Sequence, residues 1–271
     1  MTLFQALLLG IIQGLTEFIP VSSTAHLLIG QRLLGIESGD LIFAFLVIVQ
    51  LGTVLSLVIL FWNDLSDLAG RFIKNPFSKS ADASNRLAWY IILATIPAAL
   101  TGYFVRKEVE ALFLEPLLGA AIRLFSAAAL MTSAEWLGNR TRKLDAMNWL
   151  DALIIGLFQV LAIFPGASRS GSTISGGMLR GFDRAASARF AFLMSIPIML
   201  GAVIYQLFDV VHLPGFWEFV PVLALGFISA AIVGWIAIKW LLSYLNSNSL
   251  HTFSAYCAFL GTTVLFIHFL G

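Results

Sequence analysis

Charged residues are scarce in this chain of 271 residues, because Asp, Glu, Lys and Arg together make up only 11% of it. A soluble domain carries about a quarter of charged residues. Hydrophobic residues make up 59% of the chain, and the mean hydropathy is +0.91. Such a chain cannot cover its surface with polar groups, so a soluble globular protein and a disordered chain are both excluded.

Three other features are also missing. A single cysteine, Cys257, excludes an internal disulfide and a cysteine metal cluster. The net charge of +1 gives no electrostatic reason to expect a nucleic-acid partner. The first basic residue is Arg32, so no positive region precedes the opening apolar run, and we expect that run to remain in the mature protein. The apolar blocks are long and do not alternate like barrel strands, which predicts an all-α polytopic membrane protein.

Transmembrane helices need about 20 mostly apolar residues. The stretches that qualify are 41–62, 86–105, 112–136, 185–208, 216–242 and 251–270. Two shorter apolar segments, 3–19 and 148–164, each lead into a polar break and a second short helix. Segments of this length reach only about 25 Å, so we predict two re-entrant helix–loop–helix hairpins, with a kinked full span as the alternative. Polar backbone at membrane depth must be covered, so the two breaks are expected to share a cavity.

The two halves of the chain resemble each other. The Pro-x-x-Ser pattern at Pro20 recurs at Pro165, a glutamine precedes each proline, and the tetrapeptide at 43–46 recurs at 190–193. We therefore predict one membrane domain over 1–271, with repeat halves of about 1–140 and 145–271. Each half holds one re-entrant hairpin and three transmembrane helices. This odd number of spans inverts the second half relative to the first and places the ligand site between them.

Basic residues are divided unequally between the predicted loops. One side of the membrane receives Arg71, Lys74, Lys79, Arg86, Arg140, Arg142, Lys143, Arg180, Arg184 and Arg189. The other side receives Arg32, Arg106 and Lys107. The positive-inside rule places the first side in the cytoplasm, which predicts both termini outside. The acids Asp64, Asp67 and Asp82 are expected in a solvated loop.

The first break carries acid, hydroxyl and imidazole groups. Gln13 and Glu17 are four residues apart and share a helix face, before a proline ends that helix. If the next helix begins at Ser22 or Ser23, His26 lies one turn further on and faces the same hydroxyl groups. A serine nucleophile needs a neighbouring base, and histidine is the usual one. The alternative is that the hydroxyls cap the helix and that His26 bonds a backbone carbonyl.

The second break, from Pro165 to Thr173, places Arg169 among glycines and hydroxyl residues. The planar fork of a guanidinium suits phosphate, and the positive end of the following helix also attracts an anion. Thr173 is four residues after Arg169 and is expected to face the same way. The alternative is a structural ion pair between Arg169 and Glu17, and both states could occur in turn. Arg123, inside a predicted span, is expected to bond structurally to another helix.

The two breaks resemble the signatures of the bacterial undecaprenyl-diphosphate phosphatases, the bacitracin-resistance family of integral membrane enzymes. Gln13 and Glu17 match the family's Glu/Gln-x-x-x-Glu motif. Residues 20–26 match its Pro-Val-Ser-Ser-Thr stretch with the following His, and 165–173 match Pro-Gly-x-Ser-Arg-Ser-x-x-Thr without a gap. The resemblance covers essentially the whole chain. It implies hydrolysis of undecaprenyl diphosphate to undecaprenyl phosphate and inorganic phosphate, which recycles the lipid carrier for peptidoglycan synthesis and confers bacitracin resistance.

The resemblance also implies a divalent cation, Mg²⁺ or alternatively Ca²⁺, and a site in the inner membrane that opens to the periplasm. Position 13 is Glu in many relatives, whereas Gln13 leaves Glu17 as the only carboxylate in the two breaks. A cation is then expected to bind Glu17, diphosphate oxygens and water.

The expected mechanism assigns a role to each motif residue. The catalytic group is predicted to be Glu17, Ser23, His26 and Arg169, and the substrate-binding group Gln13, Ser22, Thr24, Ser168, Ser170 and Thr173. Arg169 clamps the diphosphate, while Ser23 attacks the terminal phosphorus with His26 as its base. The alternatives are His26 as nucleophile and direct attack by water. A transporter or flippase of a lipid phosphate is the competing function, and the sequence leaves the oligomeric state open.

Overall fold

The computed structural model describes residues 1–74, 83–105, 116–163 and 168–270. Its helices are α1 (Leu3–Phe18), α2 (Ser23–Leu33), α3 (Asp40–Leu60), α4 (Trp62–Lys74), α5 (Ala83–Phe104), α6 (Pro116–Leu137), α7 (Trp149–Leu161), α8 (Arg169–Leu179), α9 (Arg184–Val210), α10 (Phe216–Leu245) and α11 (His251–Leu270). A short 3₁₀ helix, Leu144–Ala146, precedes α7. Several residues used in the sequence predictions lie outside the described ranges: Lys79, Asp82, Arg106, Lys107 and Pro165.

The predicted all-α polytopic membrane protein is confirmed. Among the described residues, 6 helices are long and apolar enough to cross a membrane, namely α3, α5, α6, α9, α10 and α11. Their positions match the six predicted spans, apart from the first residues of the 112–136 stretch, which lie outside the described chain. Helices α1 and α7 are apolar but too short to cross alone.

Both predicted hairpins are present, and each starts and finishes at the same end of the helix bundle. In the first, Gln5 Nε2 at the start of α1 donates to the Leu34 carbonyl just after α2, at 3.0 Å. In the second, Arg180 Nε just after α8 donates to Asp151 Oδ1 near the start of α7, at 2.8 Å. These bonds are those expected of re-entrant segments that return to the side from which they entered.

Each half of the chain packs one of its short helices against a long helix of the other half. Helix α1 of the first half packs on α10 of the second, and α7 of the second half packs on α5 of the first. The close approach depends on glycine: a Cβ at Gly14 would lie 2.8 Å from the Ala230 carbonyl oxygen, and one at Gly156 would lie 2.4 Å from that of Ala94. This reciprocal packing agrees with an internal repeat. The inversion and the boundaries of the halves stay predictions.

Several arginines lie at one end of the helix bundle. Glu135, near the end of α6, is 4% exposed and accepts hydrogen bonds from Arg140 and from Arg184 at the start of α9. It also accepts one from the Leu250 backbone N–H just before α11, at 2.7 Å. Helix α9 and helix α11 therefore both start at this end, which we call the basic end.

The opposite end holds both described termini. Met1 belongs to an apolar cluster with Leu34, Ile36 and Leu213, which lie in the loops after α2 and α9. Helix α11 starts at the basic end and runs to Leu270 at this opposite end. We call it the termini end.

The solvated loop predicted around Asp64 and Asp67 is wrong, because both residues lie on helix α4. This helix is amphipathic: Leu68 is buried, and Phe72 contacts Trp89 of α5 with ring centroids 5.1 Å apart. Asp64 accepts from Arg189 at 2.7 Å, so α4 lies at the basic end. The hydrophobic residues of α4 recur with the period of a helix, which would have predicted it. The many polar residues between them make this pattern hard to recognise in the sequence.

Candidate active site

The acid side of the site lies on the last turns of α1. Gln13 is 2% exposed and Glu17 is 8% exposed, although both carry polar side chains. Gln13 Nε2 donates to Glu17 Oε2 at 3.0 Å, as their spacing on one helix face predicts. The break after α1 follows from Pro20, and α2 begins at Ser23, within the predicted range.

Backbone strain marks the first break. Ser22 precedes α2 and has a φ of 70°, in the left-handed region that non-glycine residues rarely adopt. Such a conformation costs about 1–3 kcal/mol and is concentrated at functional sites. Ser22 makes no side-chain cap bond to α2. The alternative prediction, that the Ser22 hydroxyl caps α2, is therefore not observed.

His26 is held on both ring nitrogens. Nδ1 lies 2.9 Å from the Ser22 carbonyl oxygen, and Nε2 lies 2.7 Å from the Tyr256 hydroxyl. A carbonyl only accepts, so Nδ1 carries a proton, and in the neutral imidazole Nε2 then accepts from Tyr256. The two rings also stack, with centroids 5.7 Å apart. In the described chain the imidazole thus bonds a backbone carbonyl and Tyr256 rather than the Ser23 hydroxyl.

The second break provides the cation. Ser168 is the N-cap of α8 and accepts from the Gly171 backbone N–H at 3.3 Å. Arg169, the first residue of α8, donates from Nη2 to Glu17 Oε1, so one ion pair joins the two breaks. The structural ion pair foreseen as an alternative is present. Arg169 Nη1 is buried and has no hydrogen-bond partner within the described ranges.

Two of the predicted phosphate ligands lie behind this ion pair. Thr173 Oγ1 donates to the Arg169 carbonyl oxygen at 2.8 Å, and Ser170 Oγ lies 3.3 Å from Ser168 Oγ. Both residues border a small void beside Glu17 and Arg169 instead of the main cavity. The Thr173 hydroxyl therefore bonds the backbone of Arg169, and the Ser170 hydroxyl bonds the hydroxyl of Ser168. Neither residue is among those that line the main cavity.

A cavity of about 520 Å³ lies between the two hairpins. The predicted site residues that line it are Gln13, Glu17, Ser22, Ser23, Thr24, Ser168 and Arg169. His26, Ser170 and Thr173 are not among its lining residues. The volume is in the range of small-molecule sites. The breaks therefore share one cavity, as predicted, and most of the predicted site residues face it.

Residues outside the motifs also line the cavity. These are Arg123 of α6 and the glutamines Gln31, Gln50, Gln159 and Gln206, together with apolar side chains such as Leu28 and Met199. Gln159 could have been found from the internal repeat, since it precedes Pro165 much as Gln13 precedes Pro20. No local signal identifies Tyr256, which is 230 residues from His26.

The side chains available as metal ligands restrict how a divalent cation can bind. Among the described residues, no group of three or more His, Cys, Asp or Glu side chains is placed to hold a metal ion. Glu17 is the only carboxylate among the described residues that line the cavity, and both its oxygens are hydrogen-bonded. This arrangement fits Mg²⁺ bound through one carboxylate and substrate phosphate oxygens, and does not fit a cage made only of protein ligands.

Comparison with known proteins is consistent with this geometry. The sequence profile of the family described as bacitracin resistance protein BacA matches residues 6–263. A protein of Methanobrevibacter smithii named undecaprenyl-diphosphatase is 37% identical over 273 residues, which cover 97% of each chain. Proteins with the same name from Anaeromyxobacter dehalogenans strain 2CP-1 (40% over 260 residues; 93% of this chain, 87% of that one) and Moorella thermoacetica (38% over 271 residues; 100% and 99%) are similarly close.

Proposed function

Because the chain belongs to the bacitracin resistance protein BacA family, we propose that it is an undecaprenyl-diphosphate phosphatase. The reaction adds water across the phosphoanhydride bond of undecaprenyl diphosphate and yields undecaprenyl phosphate and inorganic phosphate. The lipid carrier then returns to cell-wall synthesis. The Arg169–Glu17 ion pair carries the proposal, because it joins both breaks at the wall of a cavity lined by serine and threonine hydroxyls.

Arg169 binds the terminal phosphate in this proposal. Its side chain lines the cavity and is 20% exposed, and its Nη1 is buried without a partner in the described chain. A guanidinium stabilises the charge that develops on a transferring phosphoryl group. The hydroxyls of Ser23, Thr24 and Ser168 line the same cavity and provide further donors. The apolar lining residues can cover the first isoprenyl units of the lipid.

The position of the cavity along the helices supports a proposal for the orientation of the site. The cavity lining includes Leu46 near the start of α3, Gly102 near the end of α5 and Gln206 near the end of α9. These positions lie toward the termini end. The positive-inside rule assigns the basic end to the cytoplasm. We propose an inner-membrane protein with both termini outside and with a site that opens to the periplasm.

Removal of divalent cations is expected to stop phosphate release. We propose that Glu17 holds Mg²⁺ together with diphosphate oxygens; when bound, the ion neutralises charge on those oxygens. Purified wild type in detergent is expected to release phosphate from a polyprenyl diphosphate, to lose this activity in EDTA, and to regain it with added Mg²⁺. The Glu17→Gln variant should need about tenfold more Mg²⁺, whereas Glu37→Gln, at an exposed position, should respond like wild type. Full activity in EDTA would contradict the proposed cation.

The nucleophile can be identified by rapid quench with substrate labelled in its terminal phosphate. The serine route requires His26 Nε2 to leave Tyr256 before it can take the Ser23 proton, because that nitrogen already accepts a bond. We expect a label on Ser23 that is lost in Ser23→Ala and retained in Thr24→Ala. A label on His26 would assign the attack to the imidazole. The absence of any covalent species at times shorter than one turnover would assign it to water.

A further inference from the structure

Helix α11 contacts the first break at two points outside the cavity. The Tyr256 hydroxyl lies 2.7 Å from His26 Nε2, and the thiol of the buried Cys257 lies 3.8 Å from the Pro20 carbonyl oxygen. None of these four residues is among those that line the cavity. These contacts of α11 therefore reach the substrate only through the residues of the break that do line it.

The contact with Tyr256 continues through His26 to the strained residue of the break. The Ser22 carbonyl oxygen accepts from the backbone N–H of His26 at 3.3 Å, and it lies 2.9 Å from Nδ1 of the same residue. Ser22 has a φ of 70°, and a backbone conformation of this kind persists only where the surrounding structure holds it. The imidazole of His26 is thus one of the groups that hold the turn at Ser22.

The turn at Ser22 sets the position of hydroxyl residues that face the substrate. Ser22, Ser23 and Thr24 are consecutive, and all three line the cavity. Ser22 directly precedes α2, so its backbone conformation decides how the first residues of that helix are placed. Displacement of a reacting group by about 1 Å can cost two orders of magnitude in rate. A change in this turn is therefore expected to affect phosphoryl transfer.

Tyr256 fixes both the tautomer and the orientation of the imidazole. The hydrogen bond at one ring nitrogen decides whether the other nitrogen carries the proton. The Tyr256 hydroxyl donates to Nε2 of the neutral ring, which keeps the proton on Nδ1, where the Ser22 carbonyl accepts it. The two rings are also stacked, with an angle of 12° between their planes.

We propose that Tyr256 is a positioning residue of the active site. Through His26 it holds the strained turn at Ser22, which presents Ser23 and Thr24 to the cavity. The inference rests on the proposed function, since phosphoryl transfer is the step that the position of these hydroxyls affects. Helix α11 then completes a site whose sequence motifs all lie in the two hairpins.

Tyr256→Phe keeps the stacked ring and removes only the hydroxyl. We expect kcat for phosphate release from a polyprenyl diphosphate to fall about tenfold, while KM stays within about twofold of wild type, because Arg169 and the apolar lining are untouched. Tyr244→Phe is the matched control. It removes a tyrosine hydroxyl that donates to Thr252 Oγ1 at 2.9 Å at the basic end, and it should keep wild-type kinetics.

Three results in Tyr256→Phe would overturn the positioning role. The first is an unchanged kcat, and the second is a fall in Tm without a fall in kcat, which a merely structural contact would give. The third is a rise in kcat, which would show that Tyr256 only competes with Ser23 for His26 Nε2.

A double-mutant cycle shows whether Tyr256 acts through His26. In the His26→Ala background, Tyr256→Phe should cause no further loss of kcat, since the bond between the two side chains is already absent. A loss of about tenfold in both backgrounds would show that Tyr256 acts by another route, and it would overturn the inference.

Nitrogen NMR of the histidine rings tests the same contact without any activity, and it carries the test if His26→Ala is inactive. Protein with ¹⁵N-labelled histidine is measured at about pH 8, where an ordinary imidazole is neutral, and His26→Ala identifies the signals of His26. Wild type should show separate signals for a protonated Nδ1 and an unprotonated Nε2. These should draw together in Tyr256→Phe but not in Tyr244→Phe, and unchanged signals in Tyr256→Phe would overturn the inference. A wild type that releases no phosphate refutes the proposed function instead, while the nitrogen signals still report whether Tyr256 fixes His26.

Discussion

Arg169→Ala is expected to lower phosphate release from a polyprenyl diphosphate by about three orders of magnitude or more. Loss of a single group that stabilises transition-state charge costs roughly 10²–10³ in rate, and loss of an arginine at a transferring phosphoryl group costs up to about 10⁵. The change also leaves Glu17 buried without its cation. Initial rates of phosphate release in detergent with Mg²⁺, beside a thermal melt that reports folding, provide the measurement.

Matched variants separate the loss of Arg169 from a general loss of arginine. Arg169→Lys keeps the charge but not the planar fork, so an intermediate rate is expected. Arg189→Ala removes an arginine whose side chain is 49% exposed and pairs with Asp64 at the basic end, and it should retain most activity. Near wild-type rates of phosphate release in Arg169→Ala would contradict the proposed role of Arg169 in binding the terminal phosphate. A folded wild type that binds the lipid without releasing phosphate would instead favour the transporter.

Asp151→Ala is expected to destabilise the protein by about 2 kcal/mol or more, because Arg142 and Arg180 both lose charge-assisted hydrogen bonds to a buried carboxylate. Asp151 is fully buried, at 0% exposure, and accepts from Arg142 Nη2 at 2.6 Å and from Arg180 Nε at 2.8 Å. The hydrogen bond to Asp151 raises the pKa of the Arg142 guanidinium above its ordinary value. The bond from Arg180 joins the start of α7 to the residue after α8, and so closes the hairpin that carries Arg169.

Thermal unfolding in detergent measures this effect, and activity reports its consequence at Arg169. We expect a lower Tm together with a lower rate, because the hairpin loses the contact that sets its two ends. Asp67→Ala is the matched control: its partner Arg71 is four residues away, and both side chains are about half exposed, at 48% and 51%. Such a surface pair contributes about 0–1 kcal/mol. Equal Tm values for the two variants would show that Asp151 does not hold the hairpin.

Several features of the site could be predicted because they depend on neighbours in the chain. The break after α1 follows from Pro20, and the bond between Gln13 and Glu17 follows from their spacing on one helix. The sequence predicts the ion pair of Arg169 with Glu17 only as an alternative, because no local pattern specifies how the two breaks meet. The predicted contact between His26 and the Ser23 hydroxyl is not observed, since Tyr256 of α11 occupies Nε2.

The sequence by itself determined the class of protein, the six spans, the two hairpins and the motif residues of both breaks. These depend on composition, on the length of apolar runs and on helix-breaking residues, which act within a few turns of the chain. Only the tertiary structure decided which side chains face the cavity. It added Arg123 and Gln159 to the lining, and it turned Ser170 and Thr173 away from it. The physical reason is that α1 and α7 each pack against a helix of the other half of the chain. This packing sets the rotation of each helix about its own axis, and it depends on contacts between residues far apart in the sequence.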